Sequence, residues 1–219
     1  MAKYNLVIFD LDGTILDTID DLADNVNHAL SENGFPQRSL EEVRSFVGNG
    51  IRKLVERAVP VNTDDKSIDS VFACFNARYK DHCMDKTKPY DGVLELLAEL
   101  RARGIKTAVL SNKADYAVQI LCEKYFAGLF DLAAGMRDDV PRKPKPEGVY
   151  RILEELGAEK EQAVYVGDSE VDVLTAKNSG IDCIAVDWGF RDREVLVEAG
   201  AKLIASNMNS LLEYIVNEN

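Results

Sequence analysis

The chain has 219 residues, 46% hydrophobic and 29% charged, enough to bury a full core with room for a second small domain. Its 38 acidic residues against 26 basic ones give a formal charge of -12, and no block of lysine or arginine interrupts that balance. A nucleic-acid partner is not expected, because binding a phosphate backbone needs a concentrated basic face, and any anionic ligand would have to be met by a local cation or amide donors.

The first predicted element is the strand "NLVIFD" over residues 5–10, an apolar run that breaks into "LDGT", so Asp10 and Asp12 follow the strand and Gly13 turns the chain. This apolar run is too short for a signal peptide, and no stretch reaches the ~18 apolar residues of a membrane span, so neither export nor a membrane is expected. A long interval at helical spacing follows, with Leu22, Val26 and Leu30, then Ile51, Leu54, Val55 and Ala58. Stop signals fall at Gly34 with Pro36, at Pro60, and at Pro89 with Gly92. The reading is an inserted helical domain over residues 15–87, hinged near Thr14 to Asp17 and Lys88 to Tyr90, with residues 1–14 and 88–219 forming the other domain.

Short apolar runs then recur with helical segments between them: "KTAVLSN" at 106–112, "LFDLAAG" at 129–135, "AVYVGD" at 163–168, "CIAVDWG" at 183–189 and "KLIAS" at 202–206. This alternation predicts an α/β core, a parallel sheet covered by helices. Cys74, Cys83, Cys122 and Cys183 show no CxxC spacing, so neither disulfides nor zinc is expected and a reducing cytoplasm fits best. No repeat or low-complexity tract is present.

In an open parallel sheet the carboxyl ends of the strands face a common crevice, where ligands bind. The candidate strands bring Asp10 and Asp12, Ser111 and Asn112, and Asp168 with Asp172 to that edge, provided they are neighbours. A lone Asp-x-Asp-Gly more often serves a turn or helix N-cap than chemistry, and in "GDSEVD" Asp168 or Ser169 can simply cap the next helix. Taken together the residues point elsewhere. Carboxylates at adjacent strand ends repel unless a cation lies between them, and Mg²⁺, which prefers hard oxygen ligands, suits Asp10 and Asp168. Asp172 can then hold a metal-bound water. Ser111, Asn112 and Lys143 of "RKPKPEG" suit a phosphoryl group, although a lysine like Lys143 taken alone is more often a solvated loop lysine. Asp10 is placed to attack phosphorus, and Asp12 to protonate the leaving oxygen and later deprotonate water.

"DLDGT", "SN", "KPKP" and "GDSEVD", in this order and with an insertion after the first, resemble the four motifs of the haloacid dehalogenase superfamily with a small helical cap. The resemblance covers essentially the whole chain. It implies a Rossmann-like parallel sheet with helices on both faces plus an inserted all-α cap. It also implies Asp10 as nucleophile and metal ligand, Asp12 as acid/base with its backbone carbonyl on the metal, and Asp168 as the second Mg²⁺ carboxylate. Thr14, Asp172 and Ser169 would support these, while Ser111, Asn112 and Lys143 would bind phosphate.

Within the superfamily, "RSFVGNGIRKLVERAV" and "VDWGFRDREVLVEAGAKLIAS" are similar to segments of bacterial phosphoglycolate phosphatases. By that likeness Gly48, Asn49, Gly50 and Arg52 form a specificity loop, though Gly-Asn-Gly is also a plain interhelical turn and Arg52 taken alone fits a solvated helix face better. The expected activity is Mg²⁺-dependent hydrolysis of a small phosphorylated metabolite, 2-phosphoglycolate first, by a cytoplasmic monomer or homodimer. Pyrophosphate, sugar phosphates and nucleotides remain alternatives. A phosphoaspartate receiver domain and a non-catalytic binding protein are the alternatives of another class. The helical insertion and the Asp10–Asp12 pair count against a receiver, and retention of Asp10, Asp12, Lys143 and Asp168 counts against an idle fold.

Overall fold

The computed structural model describes residues 3–217. In chain order the elements are β1 (Leu6–Phe9), β2 (Leu16–Asp17), α1 (Ile19–Glu32), α2 (Leu40–Phe46), α3 (Ile51–Ala58), α4 (Asp65–His82) and β3 (Lys88–Pro89). There follow α5 (Val93–Ala102), β4 (Lys106–Ala114), α6 (Asp115–Phe126), β5 (Leu132–Met136) and α7 (Glu147–Leu156). A 3₁₀ turn at Lys160–Gln162 leads into β6 (Ala163–Gly167), α8 (Glu170–Ser179), β7 (Asp182–Val186), α9 (Arg193–Glu198), β8 (Leu203–Ala205) and α10 (Met208–Val216). Two compact units result, one of Met1–Leu16 with Pro89–Asn219 and the other of Asp17–Lys88. Where the chain crosses between them, β2 and β3 pair as a two-stranded ribbon.

The first unit is built on a six-stranded sheet in the order β5-β4-β1-β6-β7-β8, with every described pair parallel. β1 is buried along its whole length, as a central strand covered on both faces must be, and this is why its sequence is a continuous apolar run rather than an alternation. Alternate residues serve opposite faces. Leu6 and Ile8 pack with Val149, Ile152 and Leu153 of α7 and with Ala176 of α8. Phe9 lies edge-on to Phe130, 6.2 Å between centroids, and Phe130 in turn to Phe126 of α6 at 5.4 Å. β5 begins at Leu132 rather than Leu129, because the Leu129 N–H is taken by the Phe126 carbonyl in the turn that leaves α6.

The second unit consists of α1 to α4 around Leu22, Val26, Leu30, Val43, Leu54, Val55, Val71, Phe75 and Tyr79. Its start and finish are tied by one buried carboxylate: Asp21 accepts from the Lys86 N–H at 2.9 Å, the Thr87 N–H at 2.9 Å and the Thr87 hydroxyl at 2.7 Å. Among the described residues no helix is long and apolar enough to cross a membrane.

Candidate active site

β1 is flanked by β4 and β6 in register, Phe9 opposite Val109 on one side and Val166 on the other, so the segments after these strands meet at one sheet edge. The Asp10 N–H extends the ladder by one bond, to the Val166 carbonyl at 2.8 Å, which holds Asp10 as the last ordered step of the central strand. Gly13 then turns the chain at φ 88°, where a β-carbon would be both strained and only 2.3 Å from a carboxylate oxygen of Asp168.

Asp10, Asp168 and Asp172 are all buried and offer oxygens within 4.8 Å of one another. Asp168 is oriented by two donors: the Thr14 hydroxyl at 2.9 Å on one oxygen and the Phe190 N–H at 2.7 Å on the other. Lys143 enters the cluster with its side chain 3% exposed, its ammonium 2.8 Å from Asp10, 2.7 Å from Asp172 and 2.9 Å from the Tyr165 hydroxyl. Asp172, in the first turn of α8, accepts from Lys143 with one oxygen and from the Ser169 hydroxyl, at 2.5 Å, with the other. Asp172, which the sequence placed behind a metal, thus pairs with the Lys143 ammonium while lying within the three-carboxylate group.

The electrostatics follow from burial. Loss of water raises the Asp10 carboxyl to about 7, with Lys143 pulling down and Asp172 pushing up. Asp168 rises further, to about 8, because burial, Asp172 and Asp10 all act against its charge and only the Phe190 N–H and Thr14 hydroxyl favour it. For Lys143 burial opposes the charge, yet the carboxylates of Asp10 and Asp172 outweigh it and the ammonium is held well above its ordinary value.

Asp12 stands apart from the cluster, its two oxygens 2.8 and 3.1 Å from the ammonium of Lys113. Ser111 is buried and its Oγ accepts from the Lys113 N–H at 3.3 Å. Asn112 donates its side-chain amide to the Lys143 carbonyl at 3.2 Å, tying β4 to the loop that carries the lysine. Gly48, Asn49 and Gly50 lie in the second unit between α2 and α3, and Arg52 lies in the first turn of α3. Gly48 at φ 119° and Gly50 at φ 83° need glycine, and Asn49 accepts from Arg57 at 2.7 Å. Arg52 is engaged by Glu56, at 3.1 Å, and by Asp69.

Sequence reasoning missed Lys113 and Tyr165. Tyr165 carried a signal, a phenol inside the apolar run "AVYVG", since a buried phenol needs a partner; Lys113, after Ser111 and Asn112, carried none.

The donor set fits a divalent cation. Four carboxylates, of Asp10, Asp12, Asp168 and Asp172, meet two lysines, Lys113 and Lys143, so full ionisation leaves an excess of two negative charges beside three hard oxygen ligands.

A parallel α/β sheet with a buried acidic cluster and a buried lysine at its strand ends can hold a cation and meet a phosphoryl group. The family model described as haloacid dehalogenase-like hydrolase matches residues 7–186, and the chain belongs to that family. Among curated relatives, "Phosphoglycolate phosphatase 1" of Pseudomonas aeruginosa is 34% identical over 94% of this chain and 78% of its own length. A phosphoglycolate phosphatase of Mesorhizobium japonicum is 34% identical over 87% of this chain and 86% of its own. A crystal structure from Lactobacillus delbrueckii subsp. bulgaricus, provisionally named a phosphoglycolate phosphatase, superposes with a TM-score of 0.94 at 37% identity, covering 99% of this chain and 100% of that one.

Proposed function

We propose that the protein hydrolyses 2-phosphoglycolate to glycolate and phosphate with Mg²⁺, through a phosphoryl group carried on Asp10. The observation that carries the chemistry is the buried cluster in which Asp10, at the end of the central strand, sits 2.8 Å from Lys143 and within reach of Asp168 and Asp172. The names of the curated relatives support the substrate.

In this reading an Asp10 oxygen attacks phosphorus, the phosphorus–ester oxygen bond breaks, and the leaving alkoxide takes a proton from the carboxyl of Asp12. Water then attacks the same phosphorus and gives its proton to Asp12, the bond to Asp10 breaks, and phosphate leaves. Lys143 and Ser111 bind the phosphoryl oxygens, with Asn112 supplying an N–H and fixing Lys143. The metal would be held by Asp10, Asp168 and the Asp12 backbone carbonyl. When bound, it supplies positive charge to the phosphoryl oxygens. Thr14, Ser169 and Asp172 hold Asp168 and Lys143 in place. We assign the helical unit the role of a cap, with leaving-group selection in the Gly48–Asn49–Gly50 loop and Arg52.

The test is phosphate release with Mg²⁺ across 2-phosphoglycolate, sugar phosphates, nucleotides and pyrophosphate. The expected result is a kcat/KM for phosphoglycolate at least ~10-fold above the rest, about 1.4 kcal/mol of transition-state discrimination. Asp10→Asn should abolish turnover of every substrate while its circular dichroism stays that of the wild type. Uniformly weak turnover would remove the substrate assignment, and an active Asp10→Asn would remove the nucleophile.

A further inference from the structure

Lys113 is the second buried lysine of the strand-end crevice. Its side chain is 2% exposed, and its ammonium contacts both oxygens of Asp12, whose own side chain is 13% exposed. An ammonium this deeply buried is costly to keep unless paired, so its place beside Asp12 is specific. Lys113 stands in the stretch where β4 shifts register, between Leu110 and Ala114, near the end of a strand buried from Thr107 to Lys113.

The two lysines divide the carboxylates between them. Lys143 serves Asp10 and Asp172. Lys113 serves Asp12, whose oxygens are not among those of the three-carboxylate cluster. The Asp12 backbone is fixed separately, by its bridge to Leu16 and by the bond from the Gly13 N–H to the Leu16 carbonyl at 2.8 Å. With the backbone fixed, the Lys113 ammonium is the contact that engages both oxygens of the Asp12 side chain.

We propose that Lys113 is a positioning residue for Asp12: its buried ammonium holds that carboxylate apart from the Asp10–Asp168–Asp172 cluster and aimed for proton exchange with the leaving oxygen. The proposal rests on the acid/base reading of Asp12. A carboxylate oxygen that accepts one bond from Lys113 keeps a second lone pair for the transferred proton, so holding and proton exchange are compatible.

The test uses two phosphomonoesters of opposite need. p-Nitrophenyl phosphate releases a stable phenolate and needs little protonation, whereas an alkyl phosphate, 2-phosphoglycolate or whichever alkyl ester the wild type turns over fastest, releases a strongly basic alkoxide. Because kcat/KM covers the steps through phosphorylation of Asp10, loss of a general acid should lower it by about 10²-fold or more for the alkyl ester and much less for the aryl one. Asp12→Asn measures that contrast by itself.

Lys113→Met is expected to reproduce it, with a loss of about 10-fold or more on the alkyl ester and under about 3-fold on the aryl ester. Lys113→Arg should restore most of the alkyl rate. The Asp12→Asn/Lys113→Met pair should be no slower than Asp12→Asn alone. It also lacks the orphaned charge of the single variant, so it gives a folded comparison if Lys113→Met is unstable, and Lys113→Gln gives a second single variant. Equal losses on both esters would make Lys113 a phosphate ligand or a fold support and overturn the proposal, as would additive losses in the pair or an unchanged alkyl rate. If Asp12→Asn itself shows no leaving-group contrast, the acid/base reading fails first, and the proposal falls with it.

Discussion

Asp168 is held by the Thr14 hydroxyl and the Phe190 N–H, yet its burial, followed by repulsion from Asp172 and Asp10, outweighs what the two donors relieve. Carboxyls raised to about 7 and about 8 hold their protons longer in the folded chain than unfolded, so their stabilising contribution is full below the ordinary carboxylate range and is lost as pH rises through 7 to 8. A bound divalent cation reverses this by favouring the ionised pair and releasing protons. The thermal shift on adding Mg²⁺ to chelator-treated protein is therefore expected to be small at pH 5.5 and to grow toward pH 8.5. At a hundredfold excess over Kd, roughly 2.7 kcal/mol, it should reach about 5–10 °C. A shift independent of pH across this window would show that the two carboxyls are not where the cation binds. At this scale sequence was a good guide to the acids, since Asp10 and Asp168 end apolar strands. It was a poor one for Lys113, because a lysine after Ser111–Asn112 looks like the start of a solvated loop, whereas β4 stays buried through Lys113.

Among the elements, the six strands of the sheet were legible because each is an apolar run too short for a helix and bounded by turn residues, and β1 and β6 are buried end to end. The ribbon of β2 and β3 was not, because two residues per strand carry no periodicity and its pairing is set by where the chain crosses between the units. Helix starts were only partly readable. Ser39 and Glu42 form a reciprocal cap at α2, Ser39 N–H to the Glu42 carboxylate at 2.8 Å and Glu42 N–H to the Ser39 hydroxyl at 3.2 Å, a pattern visible in "SLEE" once the helix is known. Ser39→Ala should destabilise the helical unit by about 1 kcal/mol. The readouts separate the units, because the single tryptophan, Trp188, belongs to the sheet unit. Urea unfolding followed by circular dichroism is expected to shift to lower concentration, with the Trp188 fluorescence transition shifting less. Equal shifts would mean that the two units unfold as one.

The whole molecule carries a formal charge of -12, while the proposed phosphate site holds one buried lysine, Lys143. These act at different ranges. Contacts in the crevice are short and shielded from salt by burial, whereas the acidic surface repels an approaching anion over tens of ångströms at low ionic strength. Raising ionic strength from ~10 to ~150 mM shortens the screening length from about 30 to about 8 Å and removes most of that repulsion without weakening the local pairs. At fixed, saturating Mg²⁺, kcat/KM should therefore rise roughly 2- to 5-fold with added KCl, through a lower KM at constant kcat. The slope should be steeper for phosphoglycolate, whose carboxylate adds a third negative charge, than for p-nitrophenyl phosphate with two. A kcat/KM that falls with salt would mean that Lys143 and the metal govern the approach as well as the binding, and that the acidic surface lies too far from the crevice to act on the substrate.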